Sequence, residues 1–464
     1  MSHVTRDGDL AEQASWIGHL LMERYCGRHG MLAQVVDGQQ GTIIRERPLI
    51  DELGDYAQYV LMLGQLQGDA TLVDWAKGQV QRALTLGQTA DGVIYSMRRN
   101  DGRGRPQGRY CSLLHLGDTV WGLVETYVLL GDQSLKEDID RFYDAIFRYG
   151  YHEGFLVYGF IPMERWSLKV PLSDPMTAGY FMEPLVYLYI SMGEEIYLER
   201  ARTTLAAWVS TPSFRSHGLF SRVSLVSNIP LADRLIDSQF RWRGRPGLDA
   251  TLLVKGDTYL IFALLALFRV TREDWVRETV LRWRSALVEQ MRTDDGRFYI
   301  IWDRGKNTKT RVTLGEDHSV IEALLDIYYD LGDEHSLPLA MMCADAWLQR
   351  RTELGVIPNR DGTSWCLLDP QVDFAINLLK LAELTGLDRY RESALDLLGA
   401  LLSWHTLPYG FAEAVHGQTG EPLSGRVETK FLGLMIKGLL VFHHVLAGRR
   451  VFDSAPLRRL ATDR

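Results

Sequence analysis

Apolar and polar positions fall along this chain in blocks of two kinds. One kind is apolar nearly all round: Tyr259 to Phe268 holds no polar residue beyond the tyrosine. The other repeats apolar residues every three or four positions with charges between, as in Leu135–Arg148. The first pattern predicts a helix buried on every side, the second a helix with one face in water. Seven apolar phrases occur: Asp51–Asp69, His115–Asp132, Ser173–Glu195, Lys255–Glu273, Gly315–Asp333, Asp369–Asp388 and Val427–Gly448. Seven amphipathic stretches alternate with them: Leu10–Tyr25, Leu72–Leu86, Leu135–Arg148, Tyr197–Val209, Trp275–Met291, Ser336–Arg350 and Tyr390–Trp404. The span from leading acid to closing turn is 14 from Asp55 to Asp69 and 14 from Asp118 to Asp132. Such a period means that one helical hairpin has been copied and stacked, since one unit cannot bury its own apolar face. The fold class is therefore all-α, an (α/α) toroid of about seven hairpins, read as a single domain over residues 1–464.

The connections are of two lengths. Each amphipathic stretch is expected to end at a glycine followed by a bulky residue, as in Gly30-Met31, Gly92-Val93, Gly154-Phe155 and Gly410-Phe411. Short aromatic and branched runs follow, among them FYIIWD, and read as β-hairpins on one end of the barrel. Tight Gly-Asp turns close the other end. The long-looped end, where the apolar helices begin, is where binding residues are expected.

Acids stand at those helix starts: Asp55, Asp118, Asp174, Asp257 and Asp373, with Glu316-Asp317-His318 together in the fifth phrase and Glu428 leading the last. Glu413 lies in the last hairpin between Tyr409, Phe411 and the strand beyond. Each acid has two readings. It caps free N–H groups and suits the helix dipole, or it belongs to a carboxyl pair at the mouth of the ring. The Glu316-Asp317-His318 cluster exceeds what capping needs. Glu52 and Asp55 share one helical face. Asp174 before Pro175 fits a plain cap. Glu183 before Pro184 is expected to mark a helix break. Glu428, with Arg426 and Lys430 nearby, also reads as an ion-pair member. Trp121, Tyr180, Phe181, Tyr259, Trp302, Trp365 and Tyr409 lie near the same end, as core residues or stacking platforms. Trp302 and Trp365 are the best platforms because their loops are polar. His115, His318 and His416 add groups that titrate near neutral pH.

Composition narrows the partners. A net charge of -8 argues against nucleic acid. Three loops are nevertheless basic: Arg98–Arg109, Arg241–Gly247 and Asp303–Arg311. They are solvated loops or a rim for an anionic small ligand, with Arg109 and Arg243 as candidate contacts. The four cysteines have no paired spacing, so neither a metal site nor a disulfide framework is expected. The N-terminal segment lacks a secretory pattern, and no long uncharged apolar run predicts a membrane span, Phe431–Leu446 coming nearest. The expectation is a cytoplasmic protein without cofactor. Its oligomeric state is open.

An α/α toroid whose inner helices begin with acids, with aromatic hairpins on the same face, resembles the six-hairpin glycosidase superfamily and its seven-hairpin relatives. The resemblance covers nearly the whole chain and is architectural; it carries over no catalytic residue. Trp365-Cys366 is also similar to one zinc motif of the toroidal lanthionine cyclases, but a partnering Cys-His pair is missing. The resemblance implies a carbohydrate-active enzyme, a glycoside hydrolase on an oligosaccharide that is neutral or uronic. Glycosidic cleavage needs two carboxyl groups in acid and base or nucleophile roles. Asp118, Glu316, Asp317 and Asp55 are the catalytic candidates. Trp302, Trp365, Tyr180, Asp174, Asp257, His318, Asp373, Glu413 and Glu428 are the substrate-binding ones. A polysaccharide lyase or sugar epimerase on the same toroid, and a non-catalytic carbohydrate-binding or scaffold protein, are the alternatives.

Overall fold

The computed structural model describes residues 7–95, 111–163, 167–225 and 250–455. Among them the helices run, in chain order, α1 (Asp7–Arg24), α2 (Ala57–Gln67), α3 (Ala70–Gly87), α4 (Gly117–Leu130), α5 (Gln133–Tyr149), α6 (Pro175–Met192), α7 (Glu195–Val209), α8 (Pro212–His217), α9 (Tyr259–Thr271), α10 (Asp274–Met291), α11 (Leu314–Leu331), α12 (Ser336–Leu348), α13 (Leu368–Thr385), α14 (Asp388–Trp404) and α15 (Thr429–Leu446). Every predicted helix is present, and α8 is an extra turn after α7. Helices of the apolar phrases are buried on all sides. In α9 the run Leu260, Ile261 and Ala263 to Phe268 is enclosed. In α5, by contrast, Leu135, Ile139, Phe142, Tyr143 and Ile146 are buried while Lys136, Asp140 and Asp144 face water or salt partners.

The glycines divide by position. Gly68, Gly193, Gly332 and Gly386 terminate inner helices in the left-handed conformation. Most glycines expected to end the outer helices sit instead several residues beyond them, in tight turns, while Gly218 caps the short α8. Gly92 (φ 91°) lies between the bridged residues Gln88 and Ile94, and Gly296 (φ 91°) between Arg292 and Phe298. The hairpin turn, not the helix cap, requires the positive φ there.

The chain groups into two compact units. One contains α1 to α4, most of α5, and α13 to α15. In it α1 packs along α15, and strand Ala33–Asp37 pairs antiparallel with Arg426–Glu428, Val35 opposite Glu428. The first and last repeats are thus neighbours, as a closed set of copied hairpins requires. Strand Trp365–Leu367, which leads into α13, pairs with Ala414–His416 in the same unit.

The other unit contains α6 to α12. Here α6 lies against α9 because Gly179 has no side chain: a Cβ there would come 2.3 Å from the carbonyl carbon of Tyr259. Tyr180 stacks on Tyr259 at 4.3 Å. The expected break at Pro184 does not occur; α6 runs through it to Met192. Leu185, Val186 and Leu188 beyond the proline are fully buried, and that packing outweighs the lost hydrogen bond, which costs about 3 kcal/mol in a helix interior. The helix Thr429–Leu446 has the length and hydropathy of a membrane span, yet 61% of it is buried inside the protein.

Candidate active site

Three glycines bring two helix starts and a third helix together in the first unit. Asp55 ends a 3-10 turn, Leu53–Asp55, just before α2, so it is not the helix cap. Gly54 of that turn rests on the first turn of α4: a Cβ on Gly54 would meet the Asp118 carbonyl oxygen at 2.2 Å. From the other side, a Cβ on Gly122 would come 2.8 Å from the Gly54 nitrogen. Thr119 Oγ1 fixes the contact by donating to the Ile50 carbonyl at 2.8 Å. On the opposite side α15 presents Gly433, whose Cβ would stand 2.1 Å from the Asp55 carbonyl oxygen. Asp55 is therefore held between α4 and α15 at backbone contact. Gly433→Ala is expected to lose about 1–3 kcal/mol by overpacking, because a collision with backbone outweighs the roughly 1 kcal/mol that Ala gains over Gly in a helix. Urea unfolding of the variant measures it.

The charges around Asp55 follow from this packing. Lys430 and Lys437 flank Gly433 on the same face of α15. Lys430 Nζ lies 3.4 Å from Glu52 Oε1, and Lys437 Nζ 2.7 Å from Asp373 Oδ1 of α13. Burial, and next the neighbouring Asp118 carboxylate, push the Asp55 carboxyl well above the ordinary carboxylate range, with Lys430 and Lys437 pulling the other way. Asp55 therefore holds its proton to a higher pH than an ordinary carboxyl does. Burial works against the Lys430 ammonium, but Glu52, Asp55, Glu428 and Asp118 outweigh it and hold the proton on. Deeper in the unit, burial pushes Glu125 of α4 up to about 7, opposed by Lys437 and a hydrogen bond from Gln58. Burial also raises the Tyr59 hydroxyl of α2, which senses Lys437, Glu125, Asp373 and Asp55. Around the loops, partial desolvation and the adjacent Glu428 and Asp369 raise Glu413.

The raised Glu125 has a stability consequence. A carboxyl whose folded value exceeds its unfolded one stabilises fully below the unfolded value, here 4.5, and that stability is lost as pH rises towards about 7. Glu125→Gln is expected to remove a pH dependence on the order of 2 kcal/mol between about pH 5 and pH 8. Urea midpoints at the two pH values measure it.

The structure treats the other sequence candidates differently. Asp174 caps α6, accepting from Met176 N at 3.0 Å, and pairs with Arg222 at 2.9 Å. Asp257 does not reach solvent: it is 0% exposed and accepts from Phe220 N at 3.0 Å and Trp283 Nε1 at 3.2 Å. Asp317 is likewise enclosed, 0% exposed against the Cys343 thiol, which burial and then Asp317 raise. Asp257 was expected to bind substrate and Asp317 to be catalytic; both are packed among inner and outer helices. Glu316 accepts from Thr313 Oγ1 across the start of α11, where no side chain caps a backbone N–H. His318 is half-buried one residue beyond Asp317. Tyr180 is a packing residue, 9% exposed on Tyr259. Trp302 has Arg304 at 5.5 Å and Lys309 at 5.6 Å over its ring, and His217 at its edge. Trp365 has Arg360 at 5.7 Å and pairs across its strand with His416. Glu428 precedes α15 without a side-chain cap bond. Arg109, Arg243 and the loops around them lie outside the described residues. A cleft of about 340 Å³ opens at the far ends of α13 and α15, lined by Glu383, Leu387, Arg391 and Arg449, and holds none of the predicted site residues.

No protein-family model matches the chain, and no curated protein matches it. Solved structures do. An alpha-1,2-mannosidase from Trichoderma reesei aligns over 93% of this chain and 92% of its own, at 10% identity and a TM-score of 0.63. A cellobiose 2-epimerase from Spirochaeta thermophila aligns over 78% and 93%, at 14% identity and 0.58. A sugar epimerase from a ruminal bacterium aligns over 95% and 99%, at 13% identity and 0.57. The fold is an α/α toroid. Within this toroid the groups that sequence reasoning passed over are Glu125, Tyr59 and Lys437. Two of them were visible as charges inside apolar phrases: Glu125 interrupts VWGLVETYVLL, and Lys437 interrupts FLGLMIKGLLVF. A charge inside a helix buried all round needs a partner.

Proposed function

We propose that this protein is a carbohydrate-active enzyme, a glycoside hydrolase acting on an oligosaccharide. Asp55 donates the proton to the leaving oxygen, and Asp118 is the carboxylate that attacks the sugar or activates water. The observation that carries the reading is the Asp55–Asp118 pair. Gly54 and Gly122 put the backbones of two inner-helix starts in contact, and burial with the neighbouring Asp118 charge raises the Asp55 carboxyl. Environments that split two carboxyl groups in this way supply the acid and the base that glycosidic cleavage needs. We prefer this to the pairing of Asp118 or Asp55 with Glu316 or Asp317, since Asp317 is enclosed and the Glu316 carboxylate is taken up by the Thr313 hydroxyl. Ring-mouth residues of the same unit, Asp369, Glu413, Glu428 and Trp365, complete the sugar-binding surface in this reading. Its four cysteines are free thiols, which suits the proposed cytoplasmic setting.

Sugar epimerisation is the second reading, favoured by the epimerases among the structural neighbours. It needs a base at a carbon beside a carbonyl. Tyr59 and Lys430 are both driven towards their protonated forms, which leaves a carboxylate as the base available in the cluster. One incubation separates the readings. Neutral and uronic oligosaccharides are supplied in turn, and reducing ends, epimer ratio and ultraviolet absorbance of unsaturated uronic ends are followed together. Release of reducing ends without new absorbance is the hydrolase result. Epimers without cleavage, or a rise in absorbance, sink it in favour of an epimerase or a lyase.

A further inference from the structure

The cleft at the far ends of α13 and α15 lies well away from the acid pair. Val445 in its wall is 15 positions along α15 from Lys430, about 22 Å of helix. Three pieces of chain line it: the last turns of α13, the start of α14, and the segment that leaves α15 and returns to α13. That segment is fastened at several points. Glu383 of α13 uses both carboxylate oxygens on it, Oε1 accepting from Arg450 Nε at 2.8 Å and Oε2 from Val451 N at 2.6 Å. Val451 and Phe452 are each 2% exposed, and Lys380 Nζ stands 5.6 Å from the centre of the Phe452 ring. This wall is held by the protein's own contacts, which spares a ligand the cost of ordering it.

The lining is part apolar and part charged. Leu379, Ala382, Val445 and Val451 form the apolar part, and Leu387, 40% exposed, extends it to the edge. The charges do not balance. Glu383 is committed to Arg450 and the Val451 amide, while Arg391 of α14 and Arg449 have no ion-pair partner among the described residues. Asp388 is the remaining acid of the lining. Two guanidinium groups against one carboxylate leave an excess of positive charge at this cleft, in a chain whose net charge is -8. Arginine recognises carboxylates and phosphates through its paired N–H groups. A volume of about 340 Å³ has room for an organic body as well as the anionic group.

We propose that this cleft binds a small amphiphilic anion, a phosphate monoester or a carboxylate on an apolar body. Arg391 and Arg449 hold the anionic group, and Leu379, Leu387 and Val445 cover the apolar body. The site is separate from the candidate active site, so it stands or falls independently of the hydrolase reading.

Phenyl phosphate, benzoate, inorganic phosphate and phenol, titrated calorimetrically into the whole protein near pH 7, test it. Phenyl phosphate or benzoate is expected to bind, more tightly than inorganic phosphate, and phenol, which is uncharged, is expected not to. The double variant Arg391→Gln/Arg449→Gln is expected to weaken the organic anion by about tenfold or more, as lost charge-assisted hydrogen bonds do. Asp388→Asn removes the opposing charge and is expected to tighten binding by about twofold to fivefold, the scale of exposed charge pairs. Asp388, Arg391 and Arg449 are all exposed, so the variants are expected to fold, and circular dichroism checks this. No binding of either organic anion at about 10 mM overturns the site. So does an affinity unchanged in the arginine variant, for the anion then sits elsewhere on the protein. Phenol binding as tightly as phenyl phosphate overturns the role of the arginines, and inorganic phosphate doing so overturns that of the apolar lining.

Discussion

Asp118→Asn is expected to lower turnover by about 10²-fold or more with the helical circular dichroism unchanged, because a general base or nucleophile is lost while the amide keeps an acceptor for the helix start. Asp55→Asn should do the same on natural oligosaccharides. The two variants then part company on substrates with an activated aryl leaving group. Such a group leaves without being protonated, so Asp55→Asn should recover much of its rate, whereas Asp118→Asn should not. The pH profile supplies a second check. Asp55 must carry its proton, and burial with Asp118 beside it raises the pH at which that proton is lost. Activity is therefore expected to persist above the ordinary carboxylate range and to fall as pH rises through the raised value. Full activity in both amide variants would sink the assignment and return these acids to structural roles.

Arg269→Met should be the most destabilising of the changes considered, by about 3–5 kcal/mol. Arg269 of α9 is 8% exposed and holds Asp330 of α11 through Nη2 at 2.6 Å and Nε at 3.0 Å, with Asp326 at 3.6 Å and the Tyr187 hydroxyl of α6 at 3.0 Å. Burial opposes the guanidinium charge, and Asp330, Tyr187 and Asp326 more than restore it. Removing the arginine strands two acids on one turn of α11 without their cation. Urea unfolding near pH 7 measures the loss. A loss below about 1 kcal/mol, the range of exposed pairs, would mean that the network is not the tie between these helices that its geometry describes.

The candidate site was legible only in part. Asp55, Asp118, Asp373 and Glu428 were marked by their position at the head of each apolar phrase, and the structure brings Asp55, Asp118 and Asp373 around the lysines of α15. Asp257 and Asp317 carried the same mark and are enclosed. The reason is rotational. Successive residues of a helix point about 100° apart, so Glu316, Asp317 and His318 cannot face one recess. Position at a helix start says nothing of which way the side chain turns until the neighbours are in place. Asp317 turns to Cys343 of α12, and Asp257 to Trp283 of α10. Tyr180 shows the same limit: its stacking partner Tyr259 stands 79 positions away in sequence.

What this sequence determined by itself is whatever depends on neighbours three or four positions away. The alternation of apolar and amphipathic phrases fixes the helices, their order and the inner or outer place of each, because hydrophobic periodicity is local and recurs with every copied hairpin. The tertiary structure decided which charges meet. Gly54, Gly122 and Gly433 look like ordinary glycines in the chain, and only helix packing reveals that Gly54 meets the backbone of Asp118, Gly122 that of Gly54, and Gly433 that of Asp55. Through those contacts an acid of the first repeat, an acid of the second and two lysines of the last come within one another's field. Electrostatic energy depends on distance and burial, and neither is written in the spacing of residues along a chain.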